Sequence, residues 1–362
     1  MRLVLLGDMA LFGRCSLTTN PNAKEYFADV ANYLSNVDYV VGNLETPFSV
    51  RKKTHGAKSA YICSDVDNVE LLKFLHVNAV TLANNHMFDY GKEGYETTKK
   101  ILTENGIEYF GTEGKRLDVE IEGNQLSFEG FCCYTTNPLQ TVPYGDYGVN
   151  AYNYEVVDRL LTIHDNENKL TILSVHAGLE HVNYPSLDHI SVARRLAENH
   201  NYIYYGHHPH VSQGIEKQNG SLVAYSLGNF CFDDIWSPND KSKPQVVLTD
   251  NNRSTFMLVL TIEHNTVVGY EVIPVYIGKE KMEIGKGTTN EKLKQYTDFI
   301  NNTPEREYNE ERERVLKKHI NERKGQRTVI WYLKRLRPRY FRLIVDGKNN
   351  RRKYIQNIKQ YM

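Results

Sequence analysis

Short, nearly continuous apolar runs recur along the chain, and each one ends in small or polar residues. Leu3–Leu6 runs into Gly7-Asp8, Tyr39-Val40-Val41 into Gly42-Asn43-Leu44-Glu45, and Ala79–Ala83 into Asn84-Asn85-His86-Met87-Phe88-Asp89. Leu170–Val175 leads to His176, Tyr202–Tyr205 to Gly206-His207-His208-Pro209-His210, and Leu222–Leu227 to Gly228-Asn229. Runs of this length without alternation are the signature of strands buried on both faces. Helical spacing lies between several of them, notably over Val69–Leu75. Val119–Phe128 and Phe256–Val272 each predict a hairpin, the first turning at Gly123-Asn124 and the second at Asn265. The pattern is α/β, and in such folds ligands bind at the carboxyl ends of the strands. Six polar strand ends are therefore expected to meet at one site.

From about residue 290 strand signals fade and charged helical sequence takes over. This predicts a catalytic domain over residues 1–280 and a helical, basic extension over 281–362. From Val315 to Met362 there are 15 Lys and Arg against Glu322 and Asp346, a net +13. The whole chain balances at 44 basic and 44 acidic residues, so the rest carries the compensating negative charge. Trp331, Tyr332, Leu333, Leu336, Tyr340, Phe341, Leu343 and Ile344 interleave with the tail cations. That mixture suits a segment lying on an anionic membrane surface or docking on a synthase, the alternative being a solvated helix packed back on the acidic body, and the tail beyond about residue 315 is expected to be removable without touching a metal site. No nucleic-acid-binding motif accompanies the charge.

At 362 residues the chain can bury a full core. Its five cysteines lack zinc-ribbon spacing and read as packed thiols. With no cleavable leader and no apolar stretch of membrane-spanning length, the expectation is a cytoplasmic protein, peripheral at the inner face of the membrane if the tail binds there.

The polar strand ends carry the chemistry. Asp8 and Glu45 are hard oxygen donors, Asn85 offers an amide oxygen, and His176, His208 and His210 supply nitrogen. This set suits one or two divalent ions of Mn, Fe or Zn. Such ions can activate water and grip a phosphoryl oxygen. His86, next to Asn85, is placed to stabilise or protonate a leaving oxygen, with Asp89 orienting it. Arg14 is a candidate anion clamp, and His181 and His207 are candidate substrate contacts.

Gly7-Asp8-Met9 through Gly13-Arg14, Asn43-Leu44-Glu45-Thr46-Pro47, Leu82–His86 through Asp89-Tyr90-Gly91, His176–Glu180, Gly206–Val211 and Tyr225–Phe230 follow one another in the order found in the bacterial capsule-synthesis CapA family. The chain resembles that family over roughly residues 1 to 235, and the family in turn resembles the calcineurin-like metallophosphoesterases. The resemblance implies a four-layer α/β/β/α sandwich and a site for one or two metals. It also implies a role in making or exporting capsular poly-gamma-glutamate or exopolysaccharide. Asn85 and His86 carry over as ligand and catalytic histidine. Ala10 stands where those phosphoesterases have a ligand histidine, and Glu45 is the nearest counterpart of their bridging aspartate. The expected function is a metal-dependent hydrolase of the phosphoesterase type, acting on a phosphorylated or polyanionic surface-polymer intermediate. The alternatives are a non-catalytic, polymer-binding accessory of the assembly machinery, or a metal enzyme acting on an amide.

Overall fold

The computed structural model describes residues 1–50, 58, 60–237, 240–286, 289–325 and 338–361. All six apolar runs are strands. Arg2–Met9, Tyr39–Leu44, Ala79–Thr81 and Glu108–Phe110 lie parallel in one sheet. The hairpin Ser254–Glu263 and Thr266–Ile277 adds antiparallel strands beside Arg2–Met9, and Met282–Ile284 closes that edge. The second sheet places Asn124–Cys132, Leu170–His176, Tyr202–His207 and Ser221–Ala224 parallel, with Leu117–Ile121 and Ile215–Gln218 antiparallel at its edges. Both predicted hairpins form. The second turns through His264 and Asn265, which both adopt positive φ.

The absence of polar alternation has a direct cause, since each central strand is covered on both sides. In the first strand, Leu3 and Leu5 face the core between the sheets while Val4 and Leu6 face the outer helices. In the second sheet Ile172, Ile203 and Tyr205 point inward, and Leu173, Tyr202 and Tyr204 point outward. Helices Ala28–Leu34, Val69–Phe74 and Gly91–Glu104 cover the first sheet with Val30, Leu34, Leu71, Leu72, Tyr95 and Leu102. Tyr154–Asn166 and Leu187–Ala197 cover the second with Val157, Leu161, Ile190, Ala193 and Leu196. The Asn153 side chain caps the first of these two helices by accepting from the Val156 N–H at 3.1 Å. The result is the expected α/β/β/α sandwich, fastened across its middle by the Tyr205 hydroxyl donating to the Leu6 carbonyl.

The expected boundary near residue 280 falls just before Met282–Ile284, which still belongs to the first sheet. The helices Thr289–Asn302, Glu305–Gly325 and Pro338–Asn357 follow. They do not stand apart from the body, because Ile300, Tyr308, Tyr354 and Ile358 are buried in the core outside the second sheet. Tyr308 Oη donates to the Pro185 carbonyl at 2.9 Å and Tyr354 Oη to Asp188 at 2.9 Å. The aromatic and basic stretch from Trp331 to Leu336 lies outside the described residues. No helix among the described residues is long and apolar enough to cross a membrane. All five cysteines are free thiols, and four are buried.

Because Ile358 is 0% exposed within that core, Ile358→Ala is expected to lower stability by about 2–4 kcal/mol. Ile344 is 58% exposed, and Ile344→Ala should change stability by less than about 0.5 kcal/mol. Urea denaturation of the two variants separates these outcomes, and equal midpoints would show that the tail end is not docked.

Candidate metal centre and an adjoining histidine–aspartate pair

The carboxyl ends of the parallel strands in both sheets meet in one buried polar cluster. Close approach there needs glycine at two points: a Cβ at Gly7 would overlap the Gly228 carbonyl, and one at Gly206 the Tyr225 carbonyl. Beyond Gly206 the chain turns sharply, with His208 at φ 95° and His210 at φ 56°. Left-handed backbone at two non-glycine residues is costly and persists only where surrounding contacts enforce it. Here it turns three imidazoles from one short segment into the cluster.

Asp8 sits at the centre, fully buried. Its Oδ1 accepts from Asn43 Nδ2 at 2.8 Å and faces His207 Nδ1 at 3.0 Å. Its Oδ2 accepts from the His208 backbone N–H at 3.3 Å and lies 3.3 Å from His210 Nδ1. Burial opposes its charge, but His207 and His210 outweigh burial and hold Asp8 well below the usual carboxylate range. His176 Nε2 lies 3.0 Å from Asn85 Oδ1, 3.1 Å from His208 Nδ1 and 3.7 Å from Glu45 Oε1. Burial and neighbouring imidazoles keep His176 and His208 neutral, His208 pushed down to about 3. Neutral imidazole is the form that ligates a metal.

Glu45, unlike Asp8, is buried without such partners. Both its carboxylate oxygens are buried without a hydrogen-bond partner among the described residues, with His176 Nε2 and His210 Nε2 each 3.7 Å from Oε1. Burial raises its pKa to about 8, while the carboxylates of Glu45 and Asp8 overcome burial to raise that of His210 to about 10. A buried carboxylate without a donor is expensive unless a cation meets it. Ligand atoms of Glu45, His208 and His210 all lie within 4.8 Å of one another. Two ligands on opposite sides of an ion with bonds of about 2.1 Å stand about 4.2 Å apart, so modest side-chain movement would close these three around one. The donor set fits a divalent cation, and a second orphan, His207 Nε2, lies buried in the same cluster.

His86 and Asp89 form the expected pair at the edge of this cluster, with His86 Nδ1 2.6 Å from Asp89 Oδ2. Sequence patterns do not reveal the third member. Lys58 Nζ lies 2.8 Å from Asp89 Oδ1 and 3.2 Å from His86 Nδ1, and donates to the Asn85 carbonyl at 2.7 Å. Lys58 lies in a polar stretch with no periodicity, so nothing local marks it. Burial, reinforced by Lys58 and opposed by Asp89, depresses the His86 pKa. Asn84 also proves structural, donating to Asn43 Oδ1 at 3.2 Å and the Leu44 carbonyl at 2.8 Å.

Expectations for His207 and Arg14 are corrected. His207 is not a substrate contact, since it is buried against Asp8 and the Tyr205 ring. Arg14 is not brought into the cluster; its guanidinium is held by Asp233 at 2.6 Å and by the Gly278 carbonyl at 3.0 Å, tying two loops together. His181 stands behind His210, accepting from Asn252 Nδ2 at 2.9 Å, with its ring 4.7 Å from that of His319. The tail does not leave the site untouched, because Leu316, His319 and Ile320 share a cavity with His208. Ala10, the position of the missing ligand, is filled by apolar packing with Ile62, Phe232 and Leu248.

Residues 2–234 match the model of the family described as bacterial capsule synthesis protein PGA_cap. The capsule biosynthesis protein CapA of Bacillus anthracis is 28% identical over 275 residues, covering 72% of this chain and 66% of that protein. The PGA biosynthesis protein CapA of Bacillus subtilis (strain 168) is 26% identical over 297 residues, covering 77% of this chain and 74% of that protein. Among solved structures, the NAD nucleotidase of Haemophilus influenzae aligns at 13% identity with a TM-score of 0.43, covering 87% of this chain and 60% of that chain. The family match takes in every candidate ligand from Asp8 to His210, and the chain belongs to the PGA_cap family of bacterial capsule synthesis proteins.

Proposed function

We propose that this protein is a metal-dependent hydrolase of the phosphoesterase type, working in capsule or exopolysaccharide assembly on a phosphorylated surface-polymer intermediate. The observation that carries this reading is Glu45, a fully buried carboxylate with no hydrogen-bond donor among the described residues, facing His176, which burial keeps neutral, and His210, each at 3.7 Å. Glu45, His208 and His210 would hold the ion, with His176, Asn85 and Asp8 beside them. A divalent ion bound there supplies Lewis acidity toward a phosphoryl oxygen and toward water.

The chain's own groups do the rest. Asp89 accepts from His86 Nδ1, which fixes the ring and leaves Nε2 for the reacting group. Because burial makes the ring a weaker base, a proton taken up at Nε2 is readily passed to a leaving oxygen. Lys58 holds Asp89 and the Asn85 carbonyl together, so the proton-transfer group and a candidate ligand move as one unit. Peripheral contact of the basic tail with an anionic membrane or a synthase is part of the same proposal, and Ile344, Val345 and Ile355 are exposed on the last helix. The second reading, a polymer-binding accessory without catalysis, is favoured by one observation, the apolar packing at Ala10.

Two outcomes are expected. His86→Ala should lower kcat on phosphoesters by about 10²- to 10⁴-fold while metal content measured by elemental analysis stays near wild type. His208→Ala should lose metal as well as activity, and equal turnover of wild type and His86→Ala would support the accessory reading. Metal affinity should also depend on pH. An ion needs Glu45 ionised and His210 neutral, whereas in the ion-free site their raised pKa values, about 8 and about 10, keep at least one proton bound at neutral pH. Affinity should thus rise as pH climbs from 6 toward 8, by about tenfold per unit for each proton displaced. Calorimetry in buffers of different ionisation heat should register proton release, and pH-independent affinity without it would contradict this charge assignment.

A further inference from the structure

We propose that Asn252, which lies beyond the family match, is a positioning residue for the metal centre: it holds His210 in its left-handed turn and sets the ring so that Nε2 is the nitrogen offered to the ion. This role rests on the metal reading of the site. Asn252 is 1% exposed in the short helix Asp250–Arg253, which leads into the strand Ser254–Glu263 of the first sheet. Every hydrogen-bonding position of its side-chain amide is used. Oδ1 accepts from the Thr249 backbone N–H at 3.1 Å and from the Thr249 hydroxyl at 2.6 Å. Nδ2 donates to the His210 carbonyl at 2.9 Å and to His181 Nδ1 at 2.9 Å.

The two donations act where the chain is strained. His210 has φ 56°, and a non-glycine residue stays there only when its neighbours enforce it. The Asn252 amide grips the His210 carbonyl, and the preceding carbonyl, that of Pro209, accepts from the His181 N–H at 2.8 Å. Because Asn252 also bonds the His181 ring, one buried amide joins both anchors of the turn. The Asn252 backbone adds a second constraint. Its carbonyl accepts from Asn229 Nδ2 at 3.3 Å, which turns Asn229 Oδ1 toward His210 Nδ1, 2.9 Å away. An acceptor there, beside Asp8 Oδ2, keeps the proton of the neutral ring on Nδ1. Nε2 then carries the lone pair, on the side of the ring that faces Glu45. The Thr249 contacts, by contrast, form a capping box for the short helix. The amide thus divides its work, oxygen for the cap and nitrogen for the metal ligand.

Asn252→Asp separates these two roles, since a carboxylate still accepts from Thr249 but meets the His210 carbonyl acceptor to acceptor. In the full-length protein this variant should bind Mn²⁺ about tenfold or more weakly than wild type by calorimetry. Pulsed EPR of the Mn²⁺ that does bind should show one coupled imidazole nitrogen fewer. A crystal structure of the metal-free variant should show His210 out of the left-handed region, with its ring turned from Glu45. Asn252→Ala removes the donor without adding charge; it should give the same results and serves if the aspartate variant does not fold. Wild-type Mn²⁺ affinity and nitrogen coupling in a folded variant, or an unmoved His210 in its crystal structure, would overturn the proposal. If wild type binds no Mn²⁺, the metal reading fails, and the crystallographic result alone decides whether Asn252 positions His210.

Discussion

Two carboxylates are buried where two sheets meet, and the rest of the site is arranged around their charge. Asp8 is answered by three donors from two strand ends: the Asn43 amide, the His207 ring and the His208 backbone, with His210 closing in from the turn. Glu45 has no hydrogen-bond donor among the described residues, His176 and His210 standing 3.7 Å away. In an apolar interior an unmet carboxylate costs several kcal/mol and tends to take up a proton. A divalent cation removes that cost and lets the imidazoles stay neutral. The same logic explains why His210 is driven up while its neighbours His176 and His208 are driven down: only His210 sits between both carboxylates.

The fold supplies this arrangement through backbone constraints more than through side-chain packing. Parallel strands in both sheets deliver their carboxyl ends to one edge, and the Tyr205 hydroxyl bonded to the Leu6 carbonyl fixes the two sheets in register there. Gly7 and Gly206 let neighbouring chains approach to backbone contact. The strained conformations at His208 and His210 are held because Asp8 and Asn229 grip those residues, His210 Nδ1 lying 2.9 Å from Asn229 Oδ1. Strain, buried charge and orphaned oxygens thus coincide at one place, as expected where stability is traded for chemistry.

Much of this is legible in the sequence because strands covered on both faces leave continuous apolar runs, and the residues ending those runs are fixed in space by the sheets. That is why Asp8, Asn85, His176, His208 and His210 can be gathered from their positions along the chain alone, and why the hairpin at Asn265 is readable. What escapes depends on long-range contact. Lys58 comes from a polar stretch of sequence without periodicity, and nothing in that stretch says that it meets Asp89. His207 and His208 look alike in sequence, but strand geometry buries one beneath Asp8 and turns the other to the cavity. Arg14 resembles a free anion clamp until Asp233, far along the chain, is seen to occupy it. The tail's charge draws attention to membranes, whereas its buried side, Tyr308, Tyr354 and Ile358, packs against the body.

The central claim is that Glu45 is buried and unpaired because a divalent ion belongs beside it. The most direct measurement is anomalous diffraction at the Mn edge from crystals grown with Mn²⁺. The account predicts a peak bonded to Glu45 and to nitrogens of His208 and His210, at about 2.0–2.3 Å. Ordered density with no anomalous peak there, and Glu45 still enclosed and unpaired at saturating Mn²⁺, would contradict it.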